Sequence, residues 1–152
     1  MGIFNNVLKA GDRLSGLLIK SHCRPVINVS TATKTLLPSD SSAVVELARA
    51  AGSAITLPAA SACLEGTYFH FVVAATLSGD CTITAAGSDT IAGLVSTSAD
   101  GAAQNSATGA TVITFDQSAS AAIGNQVLLQ KGSGTVWYVL GFTPATVGVT
   151  LA

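Results

Sequence analysis

The chain has few charged residues. Only 10% of its 152 residues are Asp, Glu, Lys or Arg, whereas a typical soluble domain has roughly 25%. With a formal net charge of -1, its surface offers little electrostatic repulsion between copies. A nucleic-acid partner is not expected, because it would require a much larger excess of positive charge. The scarcity of charge instead favours a protein whose neutral surface is covered by neighbouring subunits.

The few charges are unevenly distributed along the chain. Residues 1–49 contain six basic and three acidic side chains, a net charge of +3. Residues 50–152 contain one basic and five acidic side chains, a net charge of -4. The two parts can therefore attract complementary surfaces on other subunits.

Motifs of catalysis and of metal binding are also missing. The sequence has no Gly-x-Ser-x-Gly elbow, phosphate-binding loop, dinucleotide fingerprint or His-Glu-x-x-His helix. Its three cysteines, Cys23, Cys63 and Cys81, form no Cys-x-x-Cys pair, which favours buried thiols in a reducing compartment. His22 and His70 do not combine with them at the spacing of structural zinc modules. We therefore predict no enzyme activity, no metal and no cofactor.

Long apolar segments are absent as well. The N-terminus reaches Lys9, Asp12 and Arg13 before any adequate apolar stretch, so no secretory signal is expected. The last 21 residues carry no charge, but they include Pro144 and four glycines, which argue against a membrane span. We expect a protein made in the cytoplasm, without a membrane partner.

What the sequence does contain is a β pattern that follows a short arm. We predict an N-terminal arm, residues 1–24, where glycines separate apolar clusters and short helical turns are possible, and a single β domain, residues 25–152, that ends in a strand or tail. Branched and aromatic segments alternate with Gly, Ser and Asp turns, which is typical of an antiparallel β-sandwich or irregular barrel. The predicted strands are residues 26–33, 67–76, 81–85, 90–95, 111–115, 126–130 and 135–142.

Three further segments have patterns that do not indicate a simple strand. Residues 42–52 have helix propensity, but they lead through a Gly-Ser pair into residues 54–58, so we interpret them as the first strand of a hairpin. Residues 96–109 contain almost no bulky apolar side chain and are predicted to form an exposed loop. Residues 146–151 alternate in polarity and predict a strand in the chain's own sheet, with a neighbour's sheet edge as the alternative.

Two sets of side chains admit a functional alternative to a structural role. Trp137, the only tryptophan, stands beside Tyr138 in an alternating segment and is predicted to pack in the core or in a subunit contact rather than stack on a sugar. Asp80, Asp89 and Asp100 each adjoin a glycine turn, where an aspartate commonly hydrogen-bonds to nearby backbone. Calcium binding is the alternative for these three carboxylates.

Several short motifs within residues 40–142 carry a resemblance to a known class of proteins. The motifs are Ile55-Thr56-Leu57-Pro58, Gly66-Thr67-Tyr68-Phe69-His70-Phe71, Thr82-Ile83-Thr84, Asp89-Thr90-Ile91-Ala92-Gly93 and Gly134-Thr135-Val136-Trp137-Tyr138-Val139-Leu140-Gly141. Together they resemble the small β proteins of tailed bacteriophages, many of which are capsid decoration, or cement, proteins. Phage tail-fibre segments use similar motifs, so a tail-fibre or receptor- and carbohydrate-binding β module is the alternative.

This resemblance implies a structural protein on the exterior of a virion capsid. Such proteins clamp adjacent major capsid subunits, often as trimers, so the implied partners are the phage major capsid protein and copies of this chain. The basic arm departs from the minimal β module, and we expect it to contact the capsid. For its basic groups, solvation without a partner is the alternative. The candidate contacts are the apolar Phe4, Leu8, Leu17 and Leu18 and the basic Lys9, Arg13, Lys20 and Arg24.

Overall fold

A computed structural model of the chain describes residues 24–97, 104–117, 122–143 and 148–152. The fold is mainly β, as the sequence predicts. Apart from two single 3-10 turns, Pro38–Asp40 and Ala60–Ala62, the regular structure of these residues consists of strands. The strands are β1 (Val26–Val29), β2 (Thr33–Thr35), β3 (Val44–Leu47), β4 (Ala54–Thr56), β5 (Tyr68–Val73), β6 (Cys81–Thr84), β7 (Thr90–Thr97), β8 (Gln104–Ala110), β9 (Val112–Phe115), β10 (Gln126–Lys131), β11 (Val136–Thr143) and β12 (Val149–Leu151).

The strands form two sheets around one hydrophobic core. The seven-stranded sheet has the order β1-β3-β5-β10-β11-β7-β8, and the five-stranded sheet has the order β12-β9-β6-β4-β2. Both sheets are mixed, because β1-β3-β5, β2-β4-β6 and β7-β11 pair in parallel and the other neighbours are antiparallel. The antiparallel pairing predicted for the sandwich thus applies to part of each sheet, and the described strands close no barrel.

The first six strands alternate between the two sheets. β1, β3 and β5 join the seven-stranded sheet, whereas β2, β4 and β6 join the five-stranded sheet. The strand predicted within residues 42–52 is therefore confirmed as β3, but the predicted hairpin is wrong, because β3 and β4 lie in different sheets. A single strand over residues 26–33 is also wrong, since the chain leaves the first sheet after Val29 and enters the second at Thr33.

In the C-terminal part of the chain, the predicted loop is largely wrong and the predicted last strand is confirmed. Much of the loop predicted over residues 96–109 is strand, because β7 continues to Thr97 and β8 begins at Gln104. β8 is an edge strand held by backbone hydrogen bonds to β7, so it does not need bulky side chains. The strand predicted near the C-terminus is confirmed as β12, which pairs with β9 of its own chain. Residues 98–103, 144–147 and 118–121 lie outside the described residues.

An aromatic cluster forms part of the core. Phe69 and Trp137 lie 5.9 Å apart between ring centroids, and Phe69 and Phe71 lie 6.4 Å apart. All three side chains are fully buried, which confirms the structural prediction for Trp137. The indole N–H of Trp137 has no hydrogen-bond partner, so this residue contributes through packing alone.

Two glycines permit close contact between two crossover segments. A Cβ atom at Gly52, whose φ is +80°, would lie 2.1 Å from the carbonyl oxygen of Asp80. A Cβ atom at Gly79 would lie 2.5 Å from the carbonyl oxygen of Ala51. The segment after β3 therefore packs backbone to backbone against the segment before β6, at a distance that only glycine allows.

Candidate interaction surface

The seven-stranded sheet presents one side to the core and the other to solvent. Along β5 and β11 the burial alternates, so that every second side chain points outward. We call this outward side the outer face. Its described side chains are Val26, Asn28, Val44, Glu46, Tyr68, His70, Val72, Ala92, Leu94, Ser96, Gln126, Leu128, Gln130, Tyr138, Leu140 and Phe142.

An apolar row crosses the outer face at right angles to the strands. The strand registers place six residues side by side, and five of them are aliphatic. The exposed fraction is 59% for Val26, 52% for Leu140 and 58% for Phe142 in the adjacent row. Apolar side chains at adjoining positions on neighbouring strands form a continuous patch rather than scattered exposure. The row is Val26, Val44, His70, Leu128, Leu140 and Leu94.

Four polar side chains of the outer face form two hydrogen-bonded pairs. His70 Nε2 lies 2.7 Å from Gln126 Oε1, so the ring nitrogen donates to the amide oxygen. Asn28 Nδ2 donates to the Glu46 carboxylate at 3.3 Å, and Glu46 is the one charged side chain among the outer-face residues defined above. These pairs engage four polar side chains with one another, and the apolar row beside them favours an apolar partner.

Two adjoining depressions mark the centre of the outer face. The larger, of about 420 Å³, is lined by Arg24, Tyr68 and Gln130 among others, and the smaller, of about 190 Å³, by Leu140 and Phe142. Both include His70 and Leu128 in their walls. Both are open rather than enclosed, as expected of a place where side chains from another segment insert.

Arg24 is the only candidate contact residue that the structure describes. Its guanidinium carbon lies 5.4 Å from the centroid of the Tyr68 ring, a cation–π contact at the edge of the larger depression. The Arg24 side chain therefore lies on the outer face. The other seven candidates lie outside the described residues: Phe4, Leu8, Lys9, Arg13, Leu17, Leu18 and Lys20.

The polar side chains considered for metal binding have structural partners. Asp89 is buried, and its carboxylate accepts a hydrogen bond from the backbone N–H of Ala60 at 2.7 Å. The Asp80 carboxylate accepts one from the N–H of Gln117 at 2.9 Å. Among the described residues no three His, Cys, Asp or Glu side chains are grouped to hold a metal ion. His22, Cys23 and Asp100 lie outside these residues.

The two described cysteines occupy protected positions. Cys81 is buried and Cys63 is half-buried. Burial raises the pKa of both thiols, although the positive charge of Lys131 acts in the opposite direction on Cys63. A raised pKa leaves less of the reactive thiolate at neutral pH. Both therefore suit a packing role.

We expect these thiols to make folding less favourable in alkaline solution. An unfolded thiol ionises near pH 8.5, whereas the folded thiols keep their protons to higher pH. The free energy of unfolding is then unaffected below that pH and falls as the pH rises above it. Urea unfolding at pH 7, 8.5 and 9.5 would measure the decline, and a Cys63→Ala, Cys81→Ala variant should show a smaller one. An equal decline in that variant would contradict the prediction.

The sequence alone does not predict the outer face. One signal was present, because residues 136–142 are bulky at both odd and even positions rather than only at alternate ones. Strands of this kind are covered on both sides. The chain matches no protein-family model, no curated protein and no solved structure at a significant level. Within the described residues no helix is long and apolar enough to cross a membrane.

Proposed function

We propose that this chain is a structural virion protein that binds the outer surface of a phage capsid and stabilises the lattice by clamping adjacent major capsid subunits. The observation that carries the proposal is the outer face, an exposed apolar patch on a protein with 10% charged residues. A patch of this kind on a sparsely charged protein marks a contact with other protein. The phage-like motifs in residues 40–142 supply the kind of partner.

A capsid protein acts through many copies. A standard interface buries about 800 Å² per partner, and repeated weak contacts act together on a lattice. A rigid β subunit loses little conformational entropy on docking, so more of its contact free energy remains for binding. The mixed sheets and single core described above provide that rigidity.

The tail-fibre or receptor-binding alternative requires exposed aromatic rings. Trp137 is fully buried and Tyr68 lies beneath Arg24, which leaves Tyr138, 53% exposed, as the aromatic ring best placed among the three considered. One exposed tyrosine beside Leu140 and Phe142 suits a protein contact better than a sugar-stacking platform. Glycan binding, with few copies per virion, would favour this alternative.

The test is to mix the purified full-length chain with undecorated phage heads. We expect stoichiometric binding, seen by sedimentation and electron microscopy, and a higher temperature of DNA release from the decorated heads. Binding of glycans but not of any head lattice would refute the proposal. A cryo-electron map of the decorated particle would then identify the capsid residues in contact.

The basic residues of the arm should contribute to this binding. A triple variant, Lys9→Gln, Arg13→Gln and Lys20→Gln, removes three positive charges, and each exposed ion pair is worth about 0.2–1 kcal/mol. We therefore expect roughly tenfold weaker head binding at low salt, with the difference shrinking as salt increases.

A matched control distinguishes the position of the charge from the net charge. The variant Ser30→Glu, Thr35→Glu, Ser133→Glu changes the net charge by the same amount at three exposed positions outside the arm. It should bind heads nearly as well as the parent chain. Equal weakening in both variants would show that the arm has no special role.

A further inference from the structure

We propose that the outer face binds the outer face of a second copy of this chain, so that the protein is a dimer with twofold symmetry. The inference deepens the proposed function and rests on it for the expectation of an assembly. Of the two implied partners, it assigns the outer face to a copy of the chain and leaves the arm to the capsid. A dimer carries two arms and can engage two adjacent capsid subunits at once, as a clamp requires.

The side chains of the outer face lie in three parallel rows. The strand registers place one further row on each side of the apolar row, two residues away along the strands. We call these the tyrosine row and the glutamate row. The tyrosine row is Tyr68, Gln130, Tyr138 and Ala92, and the glutamate row is Asn28, Glu46, Val72, Gln126, Phe142 and Ser96.

A twofold axis along the apolar row makes the outer face complementary to itself. When the axis lies midway between two facing sheets, the apolar row meets its own copy, and the tyrosine row of each subunit meets the glutamate row of the other. The same patch then serves both subunits, as in most symmetric dimers. The aliphatic side chains of the apolar row are removed from water by one another.

The charges at the outer face support this orientation. Arg24 lies against Tyr68 on the side of the tyrosine row, with 5.4 Å between the guanidinium carbon and the ring centroid. The glutamate row is four residues farther along the strands, about 14 Å away, which is too far for an ion pair within one copy. In the dimer, Arg24 comes within about one strand spacing, 4.8 Å, of Glu46 of the second copy, because β3 and β5 are neighbours. Symmetry forms this pair twice, and such complementary charges fix the orientation of a contact.

The exposed aromatic side chains support the same axis. Tyr138 and Phe142 both lie on β11, one in each flanking row, and are 53% and 58% exposed. The rotation exchanges the two rows along the same strand, so Tyr138 faces Phe142 of the second copy. Contacts between aromatic rings stabilise an interface beyond the area that they bury. The dimer therefore covers two large apolar side chains that the single subunit leaves in solvent.

The area of the outer face is sufficient for a dimer. Six strands and three rows cover about 29 Å by 20 Å, or about 600 Å² per copy. Specific interfaces bury about 600–1,000 Å² per partner, so this one is at the lower limit. Two twisted sheets can pack face to face about 10 Å apart, with strand directions within about 30°. We therefore expect a dimer that dissociates on dilution.

Sedimentation velocity of the full-length chain tests the proposal without phage particles. Between about 0.1 and 100 μM, the mass should rise from the 15.1 kDa of one chain to about 30 kDa. Leu140→Asp sets a buried carboxylate against its own copy and should leave a monomer throughout. The double variant Ala54→Glu, Thr56→Glu lies on the outward side of the five-stranded sheet and should dimerise like the parent chain.

A charge reversal tests the orientation of the two copies. Arg24→Glu places two carboxylates together in both symmetric pairs and should weaken dimerisation about tenfold or more, and Glu46→Arg should do the same with two cations. The variant with both changes restores opposite charges and should dimerise within about threefold of the parent chain. The control at residues 54 and 56 changes the net charge by the same amount as Arg24→Glu, so it separates the position of the charge from its sum.

Several results would overturn the proposal. These are a monomer at every concentration, a trimer or larger assembly, and a dimer that Leu140→Asp leaves unchanged while circular dichroism shows a folded chain. Failure of the double charge reversal to restore dimerisation would refute the twofold arrangement. A monomer that binds phage heads and loses this binding in Leu140→Asp would show that the capsid occupies the outer face instead. A dimer that binds no head would count only against the capsid function.

Discussion

Replacing Trp137 with alanine should lower the free energy of unfolding by about 3–5 kcal/mol, the range typical of a large aromatic side chain removed from a core. The side chain is fully buried and packs against Phe69 at 5.9 Å. Small domains are stable by only about 5–15 kcal/mol, so the variant should lose a large part of its stability. Urea denaturation followed by circular dichroism would measure the loss.

Two further variants separate packing from other causes. Trp137→Phe keeps an aromatic ring and removes an indole N–H that has no hydrogen-bond partner, so we expect it to cost only about 1–2 kcal/mol. Leu64→Ala, at a position that is 85% exposed, should cost less than about 0.5 kcal/mol. If Trp137→Phe were as damaging as Trp137→Ala, packing would not be the reason.

Replacing Gly52 with alanine should lower the free energy of unfolding by about 2–5 kcal/mol, because positive φ and steric overlap act together. The residue has a φ of +80°, and the added Cβ would lie 2.1 Å from the carbonyl oxygen of Asp80. Gly52 lies two residues before β4 and Asp80 directly precedes β6, so a shift of either backbone would disturb a strand. Thermal and urea unfolding would both report the change.

Gly66 provides the matched control for this prediction. Its φ is +86°, close to that of Gly52, but a Cβ atom there would meet nothing within 4 Å. Gly66→Ala should therefore cost only the conformational part, about 1–2 kcal/mol. The difference between the two variants measures the steric overlap. Equal losses would mean that the two crossover segments are not in close contact.

The sequence predicts the strands of this protein better than their pairing. β5, β6, β9, β10 and β11 all lie within or almost within the predicted segments, because each is a short run of branched or aromatic residues between turn residues. Pairing depends on contacts distant in sequence, and a short connection is compatible either with a hairpin or with a crossing to the opposite sheet. The hairpin assigned to β3 and β4 fails for this reason.

The candidate surface is also only partly predictable. Tyr138, Leu140 and Phe142 alternate with the buried Trp137, and the sequence alone does not say which set faces the core. The apolar row requires five strand registers at once, and each of them is set by a different pairing. The composition of the arm predicts a contact segment, but it does not predict that Arg24 lies against Tyr68 on the outer face.

The alternation of β1 to β6 between the sheets also bears on how such a protein can change in size. The strand pairs β1/β2, β3/β4 and β5/β6 form successive repeats, each with one strand in each sheet, and each repeat adds about 4.8 Å to the width of both sheets. The repeat of β1 and β2 is terminal in both sheets, so its removal would expose the similar repeat of β3 and β4 rather than open the core from the side. As in solenoid proteins, evolution can lengthen or shorten the subunit by whole repeats while β7 to β12 keep their positions.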